Sequence, residues 1–587
     1  DDDARRRQGA FFTPRLWVDE AHKELDRVLG KKWREECLVW DPAAGTANLT
    51  RGYSFADLII STAERPDVQV VKDQGYNTGA SIFQYDFLNP GVESPFFEAD
   101  VRSLIPPSVE RKLRAAAEAG KRLVFLMNPP YAEDGDAGLI LDRKQGVALT
   151  NTNKDMGKLG RANRQLYAQF MYRCSVVARE YGFKDSTTAL FSMSKFMCSG
   201  SFRPFRDWWY NRHAYAGGFF FQASHFADVS GAWGISFTVW NSGAKTDNVA
   251  TLPITLKDEQ DFSVVSIGTK GFYNSDGQAA SEWVETQTSN AGDTPKFTSG
   301  LKVVERWDGG CTSGSLGVMV SQANNLQQSA ALTYFISGKS AHKGSRQFDL
   351  LPDNWRRAVA LYGARKLVQD QWSIHEDEYL RPDEKKDGYE QWVDDCHVYA
   401  LLDTKNNCTA MRNVTYKGKS WRIKNHWFWR TQKEALEALE TPDTGGISRD
   451  CKNEPVKPRP VVPQEDPDDP FGFGTVSPEP ERAWEYTGDA YFAHLLTYEG
   501  LRERLSPDTR RVLDLLDALW VKSLPVREDY AAGKPELHLT AYDAGVYQLK
   551  HLWRDRFPTE WAEMQASFKA LSERLREGVY EYGFLRR

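Results

Sequence analysis

The apolar run Leu123-Val124-Phe125-Leu126-Met127 stops on Asn128-Pro129-Pro130-Tyr131. That junction constrains the fold more than any other stretch of the chain. A short apolar run reads as a buried strand. Two prolines cannot extend it, because proline lacks an amide donor and has a fixed φ. The spacing predicts a rigid polar loop at the carboxyl end of a core strand, the edge on which open α/β sheets hold ligands. Such a loop is suited to holding an exocyclic amino group.

The flanking sequence supplies the sheet. From about residue 10 to 243, strand-like runs alternate with helical patterns, the mark of a mostly parallel α/β sheet. Strands are expected at 37–40, 58–61, 81–85, 123–127, 188–192, 218–222 and 234–240, with the last two forming a hairpin that closes one edge. Helical patterns include 15–29 and 166–178. Beyond Asn241-Ser242-Gly243 the composition changes. Residues 244–300 read as irregular or short-stranded, and 352–372 and 431–441 as helical. Residues 452–482 hold eight prolines among acidic residues and read as a loop or linker. From about 483 helical periodicity dominates, as at 509–521 and 560–577.

Length and composition bound the function. At 587 residues the chain has room for two or three domains. Its net charge of −6 gives no global basic field, so nucleic-acid contact must come from local patches. The seven cysteines never form C-x-x-C, which disfavours a zinc site or disulfide framework and suits a reducing cytoplasm. No apolar stretch approaches the ~18–20 residues of a membrane span. The start, Asp1-Asp2-Asp3 then Arg5-Arg6-Arg7, is neither a signal peptide nor an initiator methionine, so the numbering is expected to begin inside a longer chain.

Four upstream segments bear on a ligand site. Asp41-Pro42-Ala43-Ala44-Gly45-Thr46-Ala47-Asn48 follows the first strand. Its small residues allow close backbone approach, and a helix after it would offer N-terminal amides. Gly9-Ala10-Phe11-Phe12-Thr13-Pro14 precedes the first helix, where Thr13 is placed to cap it with Pro14 at its first position. Glu64 lies just after the second strand, where an acid binds ribose hydroxyls, with Asp67 as the competing choice. Asp86-Phe87 follows the third strand, offering a carboxylate to an adenine amino group and a ring to cover it.

In this order the segments resemble an S-adenosylmethionine-dependent N6-adenine DNA methyltransferase. Phe12-Thr13-Pro14 resembles motif X, 41–48 motif I, Asp86-Phe87 motif III, and Asn128-Pro129-Pro130-Tyr131 motif IV without change. The resemblance covers about residues 9–243 and follows the gamma arrangement, in which target recognition comes last. One departure is Ala47, where the family usually has glycine. The resemblance implies a Rossmann-like, doubly wound, seven-stranded methyltransferase sheet in residues 1–243. A mixed α+β target recognition region follows at 244–482, then a C-terminal helical region at 483–587 that clamps DNA or forms a homodimer. It implies S-adenosyl-L-methionine held by Phe12, Thr13, Asp41, Ala43, Gly45, Asn48, Glu64, Asp86, Phe87 and Asn128. It implies catalysis at Asn128, Pro129, Pro130 and Tyr131 on a flipped-out base in double-stranded DNA, in a cytoplasmic or nucleoid setting. No metal is implied.

Other segments carry weaker expectations. Residues 132–163, with Lys144, Lys154, Lys158 and Arg161, read either as a long flexible loop closing over an extruded base or as a solvated insertion. Phe226 and Trp233 resemble the place of an aromatic contact to the flipped base, with core packing the competing assignment. Residues 411–433 hold Arg412, Lys417, Lys419, Arg422, Lys424, Arg430 and Lys433 without an acid. With Tyr416, Trp421, Trp427, Phe428 and Trp429 interleaved, they suit DNA phosphates and a groove. The amide-rich run 321–328 suits either adenine readout or turn hydrogen bonds. Pro382-Asp383-Glu384-Lys385-Lys386 reads as a charged turn, since it lacks the spaced second acid of a nuclease. Two other functions share these features: methylation of another amide or amino group, such as a protein glutamine, and a non-catalytic DNA-binding specificity subunit.

Overall fold

The computed structural model describes residues 12–98, 100–132, 150–226, 231, 233–246, 251–273, 277–285, 301–302, 315–321, 323–327, 329–336 and 347–403. Toward the C-terminus it describes 405–406, 414–416, 419–421, 429–431, 434, 437, 485–486, 491–498, 500–532 and 545–587. The chain divides into two compact units. The first comprises 1–277, 371–378 and 586–587, and the second 278–370 and 379–585.

The first unit is built on one sheet. Its strands are β1 (Leu38–Asp41), β2 (Asp57–Thr62), β3 (Ser81–Gln84), β4 (Leu123–Met127), β5 (Ser186–Met193), β6 (His213–Gln222), β7 (Gly234–Ser242), β8 (Leu252–Gln260) and β9 (Ser263–Phe272). Their order is β3-β2-β1-β4-β5-β7-β6-β8-β9. The pairs from β3 through β5 are all parallel, whereas β7 runs antiparallel to both β5 and β6. The chain leaves β1 in one direction and returns to β4 on its other side. This reversal of strand order opens a crevice at the carboxyl ends of β1 and β4.

Period-two alternation explains why both faces are covered. Leu38, Trp40, Phe125 and Met127 share a buried cluster with Val109 and Leu113 of α3 (Pro107–Glu118) and with α4 (Leu166–Glu180). Val39, Ile60, Val124 and Leu126 point the other way. They pack with Trp17, Val18 and Leu25 of α1 (Arg15–Leu29) and Val71 of α2 (Arg65–Gln74). The Trp17 ring stacks on Phe221 of β6 at 3.8 Å, which pins α1 to the sheet.

Three expectations are corrected here. The sheet has nine strands, not seven. The hairpin of β6 and β7 does not close an edge, because β8 lies parallel to β6 and β9 follows it. Residues 244–300 were expected to be irregular or short-stranded, yet they supply strands of nine and ten residues. Leu252 and Ile254 are buried, but most of β9 faces solvent, so the apolar alternation that marks a strand is missing there.

In the second unit, Gly317–Ser321 pairs antiparallel with Thr333–Ile336 on one side and Gln347–Leu350 on the other. Helices Trp355–Leu367, Tyr389–Leu402, Pro507–Ser523 and Pro558–Glu581 accompany it. Arg574 of the last helix reaches the buried carboxylate of Asp395 at 2.8 Å, so the C-terminal helices pack with residues near 395. Most of 431–441 and all of 452–482 lie outside the described residues. Among those described, no helix is long and apolar enough to cross a membrane.

Candidate active site

A cavity of about 910 Å³ opens at the carboxyl ends of β1 to β4. It falls in the size range of small-molecule and cofactor sites. Every residue expected from the sequence to hold the donor lines it, from Phe12 and Thr13 through Asp41, Glu64 and Asp86 to Asn128. Asp67 and Pro130 line it as well, whereas Pro129 and Tyr131 do not. Its carboxyl side chains are Asp41, Glu64, Asp67, Asp86 and Glu93, against the cations Arg102 and Lys154. Such a lining favours a cationic ligand over a polyphosphate.

Asp41 ends β1 and is 1% exposed. Its Oδ1 accepts from the Ala43 amide at 3.2 Å, and its Oδ2 is buried with no hydrogen-bond partner. Burial pushes its carboxyl up to about 8. A buried, unpartnered carboxylate oxygen on a ligand cavity is costly unless a ligand's positive charge meets it.

The turn after Asp41 is not the one expected. No helix follows it, and residues 42–53 form successive turns up to β2. Gly45, Ala47 and Gly52 all have positive φ, which breaks a right-handed helix. Ala47 has φ 61, yet its methyl is buried in the core cluster and does not line the cavity. An alanine here, where the resemblance leads one to expect glycine, thus costs backbone strain rather than ligand space. Helix α1 holds this turn in place. His22 Nε2 donates to the Leu49 carbonyl at 2.8 Å while its Nδ1 accepts from Arg34 Nε at 3.1 Å. Burial holds His22 neutral, down to about 4, as this pairing requires.

Glu64 caps the start of α2 through its backbone, half-buried, and no described residue takes its carboxylate. Asp86 is more committed. Its carboxylate accepts from the Leu88 amide (3.1 Å), Asn89 Nδ2 (2.8 Å) and the Ser94 hydroxyl. A carboxylate accepts about four hydrogen bonds, so little capacity remains for a ligand. Phe87 sits in the cavity wall with its ring stacked on Phe170 at 5.5 Å, as core rather than as a lid.

At the end of β4, Asn128 is held from both sides. Its Nδ2 donates to Thr13 Oγ1 at 2.9 Å, and its Oδ1 accepts from the Tyr131 hydroxyl at 2.7 Å. Thr13 therefore does not cap α1: the N-cap is Pro14, without a side-chain hydrogen bond. Tyr131 is 8% exposed and lies edge-on to Trp233 at 6.0 Å. Burial raises its phenol well above the usual range. Phe226 is core, packed on Phe191 and Phe221.

The segment after the loop also differs from expectation. Residues 133–149, Lys144 included, lie outside the described residues. From Thr150 the chain forms the short helix Asn151–Asp155 and the 3-10 turn Gly160–Arg164, with Met156 and Ala162 fully buried. Thr150 caps that helix, accepting from the Asn153 amide at 2.9 Å, and donates to Gln169 at 2.6 Å. Thr150, Asn151 and Lys154 line the cavity, as do Asn89 and Phe96. Of these, Lys154 was named from the sequence within 132–163; Thr150, Asn151, Asn89 and Phe96 were missed, and the N-cap pattern at Thr150 was the one available signal.

In the second unit, Arg412, Lys417, Arg422 and Lys424 lie outside the described residues, as does the Lys419 side chain. Arg430 is mostly buried, bonded to Asp517 at 3.1 Å and over the Trp520 ring. Trp429 is fully buried and donates to the same Asp517. Within 321–328, Asn324 donates to the Tyr379 carbonyl and accepts from the Ser281 amide, tertiary bonds between distant segments rather than local turn bonds. Among the described residues no His, Cys, Asp or Glu cluster suits a metal.

No family model and no curated protein matches the chain. Among solved structures, a DrdV–DNA complex matches with a TM-score of 0.32 and 16% identity, over 47% of this chain and 29% of that one. The type IIG restriction endonuclease BpuSI matches at 0.27 and 13%, over 46% and 32%. A putative class I S-adenosylmethionine-dependent methyltransferase from Listeria monocytogenes matches at 0.25 and 12%, over 40% and 62%. The matched regions take in less than two thirds of each of these proteins. At such TM-scores the likeness carries no weight for fold or function.

Proposed function

We propose that this chain is a DNA methyltransferase that moves a methyl group from S-adenosyl-L-methionine to the N6 amino group of a flipped-out adenine. The observation that carries the reading is a single cavity in which the unpartnered Asp41 oxygen and the doubly held Asn128 amide are both found at the carboxyl edge of one sheet.

The residues present fit the donor. Asp41 suits its ammonium group and Glu64 its ribose hydroxyls, within a lining richer in acids than in bases. Bound there, the donor supplies an electrophilic methyl. An adenine amino nitrogen is a poor nucleophile because its lone pair is delocalised into the ring. Asn128 Oδ1 and the Pro129 carbonyl accept its hydrogens, which favours a more tetrahedral nitrogen as attack begins. The two prolines fix this geometry in advance, so little reorganisation is needed. Placement supplies much of the rate. Asn128 is no base, so the proton leaves to water. A paired base cannot reach such a site and must leave the stack. In this reading the first unit is catalytic, while the second reads the target and clamps DNA or pairs protomers.

The test is incubation with labelled donor and unmethylated genomic DNA. Label in DNA is the expected result. Label in protein instead supports amide methylation, and DNA binding without transfer supports a specificity subunit.

A further inference from the structure

We propose that the Thr13 and Tyr131 hydroxyls clamp the Asn128 side-chain amide in the one orientation that presents its oxygen to the acceptor amine. This rests on the function proposed above. It gives the Thr13 and Tyr131 hydroxyls a positioning role in the transfer step, beside any contact their side chains make with donor or base.

The terminal torsion of asparagine is broad and roughly two-fold, so an unrestrained amide turns end for end. Only one end serves this chemistry. An amino group brings hydrogens, and an amide NH₂ facing it would set donor against donor. Asn128 is restrained at both ends by groups of matching sense. The Thr13 oxygen accepts from Nδ2 at 2.9 Å, and the Tyr131 hydroxyl donates to Oδ1 at 2.7 Å. Reversing the amide would need both hydroxyls to turn over, leaving the phenol, the better donor of the two, to accept. Both partners are buried, at 6% and 8% exposure, so water competes little for these bonds. The raised phenol keeps Tyr131 protonated and donating at neutral pH. An amide oxygen has two lone pairs, so a hydrogen bond from Tyr131 and one from a substrate amine can share it.

Thr13 carries the argument furthest. Its place before α1 suits a helix cap, yet its hydroxyl is spent 115 residues away on Asn128 and α1 starts without a side-chain cap. The backbone beside the amide is restricted as well, because Asn128 precedes Pro129. Side-chain orientation is therefore the freedom left for the two hydroxyls to remove.

The experiment compares Thr13→Val, Thr13→Ser and Tyr131→Phe with wild type by steady-state transfer of labelled methyl to DNA. Thr13→Val keeps the shape and Tyr131→Phe keeps the ring. Each is expected to lower kcat about 10- to 100-fold, with the donor KM changing less than about 3-fold. Thr13→Ser, which restores the hydroxyl, should recover activity to within about 3-fold of wild type. Unchanged kcat in both hydroxyl-free variants overturns the clamp. So does a loss confined to donor KM, or a Thr13→Ser no better than Thr13→Val. If Thr13→Val unfolds, Tyr131→Phe and Thr13→Ser decide by the same criteria. A wild-type protein that binds donor and DNA but transfers nothing overturns the functional reading itself, and the clamp's role with it.

Discussion

In the proposed function Asp41 holds the donor and Asn128 the acceptor amine, and each makes a separate prediction. Asn128→Ala should abolish transfer while donor affinity stays within about 3-fold, because Asp41 and Glu64 carry the donor's charged and ribose contacts. Calorimetry with the donor checks this, and lost donor binding would put Asn128 in the wrong pocket. Asp41 predicts a pH dependence. Its carboxyl is raised to about 8 by burial, so at neutral pH the empty site is mostly protonated. A cationic donor prefers the ionised form. Donor affinity should therefore rise with pH, by up to about tenfold per unit, and level off above about 8. Near pH 7 binding should release close to one proton, seen by calorimetry in buffers of different ionisation heat. Asp41→Asn should remove the dependence. The same shift has a cost in stability. An acid raised above its unfolded value of 3.8 stabilises the fold below that pH, and the contribution fades as pH rises toward 8.

At the scale of elements, legibility followed burial. The seven strands of the first 243 residues each carry apolar residues that alternate or run together, and all seven were placed from the sequence. The strand-end residues were legible for the same reason: once a strand is located, its carboxyl end is too. Strands β8 and β9 were not legible, because β9 is largely solvent-facing and was recruited by pairing rather than by its own apolar pattern. The turn at 42–53 misled because small residues allow helix and left-handed turn alike. Asp86 and Phe87 were correctly located, but what surrounds them depends on Ser94, Asn89 and Phe170, contacts no local spacing reports. Strand β9 also makes a stability prediction. Lys270 on β9 pairs with Asp377 at 2.6 Å, and both side chains are buried. Asp377→Ala strands a buried ammonium and should cost about 3–5 kcal/mol. Denaturant unfolding checks this, and a change below about 1 kcal/mol would place the pair in effective contact with water.

For the whole molecule, chain order and architecture part company. After some ninety residues in the second unit, 371–378 returns to the first, where Trp372 meets Phe220 and Asp377 meets Lys270. Linear segmentation by composition does not capture such a return. Nor does it place the C-terminal helices, which share a unit with 278–370. The basic, aromatic segment expected to touch DNA is described only in part. There Trp429 and Arg430 are engaged with Asp517 and Trp520 inside the second unit. The central proposal remains chemical: that the cavity methylates the amino group of an adenine in DNA. Two hydrogen-bond acceptors at Asn128 and Pro129 do not by themselves separate adenine from cytosine, whose amino groups pose the same problem. The most direct measurement is therefore nucleoside mass spectrometry of unmethylated duplex DNA after incubation with the protein and isotopically labelled S-adenosylmethionine. The account predicts labelled N6-methyldeoxyadenosine, absent with Asn128→Ala. Labelled N4-methyldeoxycytidine, or no labelled nucleoside from a protein that binds both donor and DNA, would contradict it.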